Sequence, residues 1–405
     1  MAPVLPVGQD FSPLDEELAL LPGSVSPQYQ DHLVRLAVWM PFARAAEMLE
    51  ALTGVQVSEA TMRRQTYTAG VAYQAVQTAQ AAAGEQPAPS KPVGKLVVSA
   101  DGAMVPLVHG QWAEVKTLVI AEVQAGPEAG SVQSTQLSYF SRMTDATTFA
   151  EQATVETMRR GVPDAEQVGA VMDGAEWIDG LVDLQCPQAR RMLDFPHAAE
   201  YVSEIGRQAG LVEPEQASAW LATQLHTLKH EGPEAVLAEL RRVCDHAPLV
   251  QEMHKQLAYL LKRTDRMQYP LYQQEGWPIG SGIVESGNKV VMQARLKGAG
   301  MHWAPAHVNP MLALRTAACN DRWDEAQQQV RTSRRAQRQL RRQHLALQRL
   351  RQQVCRTLHQ RLAQRQQEPP SPPALPASPL PAAKKLASKY SWRQPFLRRS
   401  SSAKT

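Results

Sequence analysis

The spacing of apolar residues changes character along the chain, and each change marks a boundary between kinds of structure. Residues 1–28 are acidic and rich in Pro, and predict a lead-in with little regular structure. From residue 29 to 80 apolar positions recur at helical spacing in QYQDHLVRLAVWM, PFARAAEMLEALTG and VSEATMRRQTYTAGVAYQAVQTAQAAA, which predicts three helices. Pro41 suits the first turn of the second helix, Gly54 its C-terminal stop and Ser58 the cap of the third. Helix, Gly-containing turn and helix also read as a helix-turn-helix, which would present Thr61, Arg63 and Arg64 to a DNA groove. A plain helical hairpin accounts for the same pattern, and both readings stay open.

AAAGEQPAPSKPVG, residues 81–94, is a linker of small residues and Pro. Beyond it the period becomes two, with continuous apolar runs in KLVVSADG, WAEVKTLVIAEVQ and VQSTQLSYFSRM, three strands in succession that predict an antiparallel meander. A helix capped by Asp145 follows, then strand QVGAVMDG, helix EWIDGLVDL, strand RRMLDF and helix PHAAEYVSEIGRQAG. Strand and helix alternating after a meander predict an α/β fold with a mixed five-stranded sheet across residues 95–207, its last two strands parallel to the first. Residues 208–275 are helical in pattern and read as an all-α insertion. The segment 276–320 resumes with GWPIGSG, a turn opening a helix from about Ile283 to Lys297. Residues 321–367 form a long basic helix, and 368–405 are a basic Pro/Ser-rich tail that predicts disorder.

Composition adds bounds. A chain of 405 residues with 43% hydrophobic content has the length of two or three domains and enough apolar side chains for a full core. The start, MAPVLPVGQDFSPLDEE, holds no basic-then-apolar signal, and no apolar run reaches membrane-spanning length. A soluble, cytoplasmic setting without a membrane partner is therefore expected. Cys186, Cys244, Cys319 and Cys355 lack paired spacing, which fits reduced thiols and gives no zinc signature. The net charge of +4 hides an asymmetry: from residue 326 onward 18 Lys and Arg face one acid, Glu368, so +17 sits there and −13 on the rest. An acidic body with a basic arm able to neutralise phosphates is the implied arrangement.

Three acids stand out against this frame. Asp101 closes the apolar part of KLVVSADG, Asp173 closes that of QVGAVMDG, and both precede Gly, as expected where a strand ends in a turn. With strands one and four side by side, both carboxylates emerge at one sheet edge, where ligands of open α/β sheets bind. Glu285 lies in the first turn of the late helix, followed by Lys289, Arg295 and Lys297, which suit phosphate contacts. Three widely separated carboxylates brought together are what a two-metal phosphoryl-transfer site requires, since each divalent ion takes hard oxygen ligands. His226 and His230 are one turn apart but have no catalytic Glu between them and no third ligand. GSGIVESG is read as a turn, since no strand precedes it. Trp177, Trp277 and Trp303 flank these motifs and read as core, with stacking on an unpaired base as the second reading.

DGAMVPLVHGQWAEVKTLVIAEV, the DFPH motif and IGSGIVESGNKVVMQARLKGAGMHW together resemble bacterial insertion-sequence transposases of the ISKra type, relatives of the Mutator-like transposases. The likeness runs from about residue 12 to residue 325. It implies an RNase H-like fold, an Asp-Asp-Glu triad at Asp101, Asp173 and Glu285, magnesium as the metal with manganese as a substitute, and a helical insertion before the Glu. Asp194 and His197 match the family's Asp-x-x-His signature; on the residues alone they read either as a support for the metal ligands or as a helix cap with a half-buried neighbour. The expected activity is metal-dependent DNA cleavage and strand transfer on element ends and target DNA by a homodimer or larger assembly, nucleoid-associated when bound. The alternatives are a nuclease of the same fold without strand transfer and a non-catalytic DNA-binding protein of transposase origin.

Overall fold

Ser26 opens the first helix, α1 (Pro27–Trp39), by accepting a hydrogen bond from the Tyr29 amide, and Pro27 sits where its missing N–H is no loss. The computed structural model describes residues 26–84, 93–128, 131–211, 219–246 and 250–367; the expected lead-in up to residue 25, the centre of the 81–94 linker and the tail from 368 lie outside the described residues. The three expected N-terminal helices are present as α1, α2 (Phe42–Thr53) and α3 (Glu59–Ala83). Gly54 ends α2 in the left-handed region at φ 70°, and the Ser58 hydroxyl caps α3 by accepting from the Thr61 amide. Pro41 stands one residue earlier than expected, at the cap of α2.

Five strands form one mixed sheet: β1 (Lys95–Pro106), β2 (Trp112–Ala125), β3 (Val132–Arg142), β4 (Gln167–Met172) and β5 (Arg190–Leu193), in the order β3-β2-β1-β4-β5. The meander is antiparallel, β4 runs parallel to β1, and β5 runs parallel to β4. One expectation is corrected here. β1 does not end at Asp101: it continues to Pro106, paired with β2 as far as Pro106↔Trp112, and only its pairing with β4 stops, at Ser99↔Val171. Asp101 is thus the first β1 residue on its own side of the sheet after β4 has left.

Period-two alternation sorts the strands onto two faces. Leu96, Val98 and Ala100 of β1, with Leu118 and Ile120 of β2, pack on α4 (Ala146–Arg159) and α5 (Glu176–Gln185) through Phe149, Ile178 and Leu181. Val97, Val171 and Leu193 face the opposite way, toward α6 (Phe195–Gln208) and the helices that follow: α7 (Ala219–His230), α8 (Pro233–His246), α9 (Gln251–Leu261) and α10 (Tyr269–Gln274). The expected all-α block therefore does not float free; its Leu240, Leu257, Leu260 and Tyr269 share one core with the sheet.

The late helix opens as α11 (Gly282–Gly287), widens into a π-helical turn over Asn288–Gln293 and closes with Ala294–Leu296, within a residue or so of the expected span. Gly287 lets α11 lie close on the sheet, because a Cβ there would stand 2.7 Å from Val119 and 3.2 Å from the Tyr139 ring. The segment returns to the end of β1 through Trp303, whose amide donates to the Pro106 carbonyl (3.1 Å) while its carbonyl accepts from Val108 (3.0 Å).

Next comes α12 (Pro305–Cys319), which the period of the sequence did not announce. It is buried on nearly every side, and an all-round apolar helix carries no amphipathic signature. It joins the N-terminal helices to the sheet: Leu314 packs with Leu33, Val38, Ala45 and Met62, and Gly70 of α3 meets the Pro310 carbonyl so closely that any side chain would collide. Finally α13 (Trp323–Gln367) begins in this core, with Trp323 donating to Asp31 at 2.7 Å. The chain divides into two compact units, Met1–Gln339 and Leu340–Thr405. The N-terminal helices, sheet and insertion all belong to the first. In the second, every side chain described from Leu340 to Ala363 is exposed. No helix among the described residues is long and apolar enough to cross a membrane.

Candidate active site

Two acids stand just past the last pair of the parallel strands β1 and β4, Ser99↔Val171. Asp101 and Asp173 continue the rows of Val97 and Val171, so both belong to the face covered by α6, α9 and α11. Asp101 is half-buried. Its Oδ1 accepts from the Gly102 amide at 2.7 Å and its Oδ2 from the Asn288 side-chain amide at 2.8 Å. Burial pushes its carboxyl above the usual range, and the charges of Asp173 and Glu285 push it the same way, against the two hydrogen bonds. Glu285 is exposed, one turn before Asn288 on the same helical face. The three acids are thus near enough for the charges of two to act on the third.

Hard oxygen donors that repel one another are what a divalent cation relieves, so the donor set fits such an ion in kind. Among the described residues, however, no three His, Cys, Asp or Glu side chains form a group gathered closely enough to hold a metal.

Asp173 lies just past β4. Its Oδ1 accepts from Ala175 at 2.8 Å, at the start of α5, and its carbonyl accepts from the Tyr259 hydroxyl of α9. Asp194 is more buried, at 5% exposure, and caps α6 by accepting from the His197 amide at 3.1 Å; its other oxygen accepts from the Ser281 amide at 2.6 Å. Burial raises its carboxyl above the usual range, against those two donors. Of the two sequence readings of Asp194, the structure shows the helix cap; the same side chain also holds the GSG turn from which α11 starts. The Phe195 amide reinforces that tie by donating to Ile279. The His197 ring has other neighbours, its Nδ1 standing 3.6 Å from Glu200. The ring meets Tyr201 and Tyr259 edge-on, with centroids at 5.2 and 6.2 Å, and those two tyrosines stack at 4.3 Å.

The basic residues expected to meet phosphate separate into two kinds. Arg63 and Arg64 on α3, with Lys289 and Lys297, are exposed. Arg295 is a correction: it is 2% exposed, its Nε donates to the Ala37 carbonyl at 2.9 Å, and its guanidinium lies over Phe42 and Trp303 at 4.8 and 5.2 Å. Together with Arg315, which donates to Val38, it satisfies the last carbonyls of α1, groups that no helix can pair internally. Arg295 is thus an internal tie. Trp277 and Trp303 are buried, which removes them as stacking surfaces; Trp177 is half-buried against Phe149. His226 and His230 neighbour each other at 4.6 Å, with no metal-holding group among the described residues.

Three residues that touch the site were missed. Asn288 had a legible signal, three residues after Glu285 on a helix. Tyr259 and Arg263 had none, since nothing in a helical insertion says which face turns back to the sheet.

The model of an uncharacterised protein family, UPF0236, matches residues 13–346. No curated protein matches the chain.

Proposed function

For a chain that belongs to the uncharacterised protein family UPF0236, we propose a function as a DNA transposase of the Asp-Asp-Glu kind, built on an RNase H-like core. The observation that carries this reading is the placement of half-buried Asp101 on the central strand just past its last pair with β4, with Asp173 just past β4 and Glu285 on the helix laid across the sheet; burial first, and then the charges of those two acids, raise its carboxyl. The order β3-β2-β1-β4-β5, with three antiparallel and two parallel strands, supports the fold assignment. The resemblance of the three motifs to insertion-sequence transposases supports the substrate.

Asp101, Asp173 and Glu285 would hold magnesium, which when bound supplies the charge that activates the attacking oxygen and stabilises the leaving one. The chain's own residues do the positioning. Asn288 and the Gly102 amide fix the Asp101 carboxylate, and Asp194 anchors the turn that aims Glu285. Lys289 and Lys297, exposed after the Glu, would meet strand phosphates, and the basic helix would add further contacts. Cleavage at an element end frees a 3′-hydroxyl that attacks target DNA, so the chain needs no nucleophile of its own. Two ends must be joined, which calls for a dimer or larger assembly on DNA.

The test is cleavage of a DNA carrying the inverted ends that flank this gene, with magnesium and then with EDTA. Metal-dependent nicking at the end junction, lost in Glu285→Ala while DNA binding persists, is the expected result. Cleavage by Glu285→Ala at the wild-type rate would remove that residue from the site. Nicking without joined products would favour a nuclease that does not transfer strands.

A further inference from the structure

The Asp173–Gly174 turn has left the sheet, and its two carbonyls find no partner there. The last β4 to β5 pair is Met172↔Leu193, and the Met172 carbonyl is taken by the Asp194 amide. The two carbonyls that follow are both taken by the helical insertion. The Tyr259 hydroxyl donates to Asp173, and Arg263 Nη2 donates to Gly174 at 2.7 Å. Tyr259 stands in the last turn of α9 and Arg263 in the turn just past its end, so the C-terminal end of the helix delivers both. They also brace each other: the guanidinium lies 3.7 Å from the Tyr259 ring centroid, and Nη1 donates to the Tyr259 carbonyl at 3.2 Å.

Two further observations single this contact out. Arg263 is only 8% exposed, and among the described residues no carboxylate lies within ion-pairing distance of it. A buried cation without an acid is unfavourable unless backbone carbonyls and a ring replace water around it. Gly174 has φ +83°, and a Cβ there would run into the Tyr259 hydroxyl and Arg263 Nε. The turn is therefore Gly for two reasons, its backbone angle and the closeness of the insertion.

We propose that Tyr259 and Arg263 are positioning residues through which the helical insertion holds Asp173 in place for metal binding. The proposal rests on the reading of Asp173 as a metal ligand. The insertion acts on the backbone of the turn, while the Asp173 side chain is held by its own turn through the Ala175 amide. Loss of the Tyr259 hydroxyl leaves the Asp173 carbonyl unpaired and the turn free to shift.

Two readouts on the full-length chain test this without DNA. The first is binding of Mn2+ alone, followed by the loss of its free electron-spin resonance signal. The second is amide hydrogen exchange in the peptide from Gly174 to Gln185. Tyr259→Phe is expected to bind Mn2+ about 10-fold more weakly, as when a supporting partner of a metal ligand is lost. It should also exchange at least about fivefold faster at the start of α5, with melting close to wild type. Arg263→Lys, which keeps the charge but not the planar fork, should move both readouts the same way; should Tyr259→Phe fold poorly, this variant decides. Wild-type Mn2+ affinity and wild-type exchange in these variants would overturn the proposal. Asp101→Ala separates the two ideas. If it abolishes Mn2+ binding while Tyr259→Phe does not weaken it, the metal reading stands and the positioning role falls. If the wild-type chain binds no Mn2+, both fall.

Discussion

Asp101 shows how one side chain carries a conflict between stability and chemistry. Its carboxyl is raised by burial and by two neighbouring acids, so the folded chain holds its proton more tightly than the unfolded chain does. The group therefore contributes stability below the usual carboxylate range, and that contribution is lost as pH rises through the raised value. At neutral pH the charge is a strain on the fold. Asp101→Asn should relieve it, since the Asn288 Oδ1, buried without a partner, can turn to accept from the new amide. Melting at pH 7.5 is expected to rise by about 2–4 °C, with the gain shrinking as pH falls toward 4, and DNA cleavage should vanish. A variant less stable than wild type at neutral pH would contradict this account. Arg295 makes the opposite prediction. Arg295→Ala removes a carbonyl partner and two ring contacts inside the core, and should cost about 2–4 kcal/mol in denaturant unfolding while leaving the salt dependence of DNA binding unchanged.

At the scale of elements, the helix bearing Glu285 depends on a single missing side chain. Gly287→Ala puts a methyl against Val119 and the Tyr139 ring, two rigid features of the sheet, and must lift α11. Cleavage is expected to fall by at least about 10-fold, with DNA binding within about twofold of wild type, measured by nicking and by gel shift on one preparation. The same elements show what the sequence could carry. The sheet was legible because its strands alternate strictly or run apolar, and because strand-helix alternation permits few topologies. The extent of β1 was not, since DGAM interrupts the apolar run and reads as a turn, whereas pairing with β2 holds the strand extended to Pro106. α12 was not legible either, because a helix buried all round has no period to detect. Arg295 misled for a related reason: a cation after an acidic motif looks the same in sequence whether it faces phosphate or caps a distant helix. Asp194 was legible as a helix cap, whereas its second bond, to the Ser281 amide, carried no signal in the sequence.

Across the whole molecule, charge and architecture divide at nearly the same place. The second unit, from Leu340, carries 14 Lys and Arg and one acid, whereas α13 is still part of the core at Ala326 and Val330. Truncation after Gln339 should therefore leave melting unchanged, weaken DNA binding by at least about 10-fold at moderate salt and flatten the slope of affinity against salt concentration; an unchanged slope would mean that the arm does not touch phosphate. Truncation ahead of Ala326 is a poorer test, since it strips apolar cover from α3. The position of α12 also bears on how the chain is made. The helices α1 to α3 leave the ribosome before the sheet, yet the surface that completes their core, Leu314 and Trp323, is synthesised roughly 250 residues later, and Glu285 is also late. A nascent chain thus carries two of the three acids and an uncovered helical hairpin through most of translation. On the proposed transposase function, cleavage competence would arrive nearly together with completion of the core, so fragments ending before α12 should be both poorly folded and harmless to DNA.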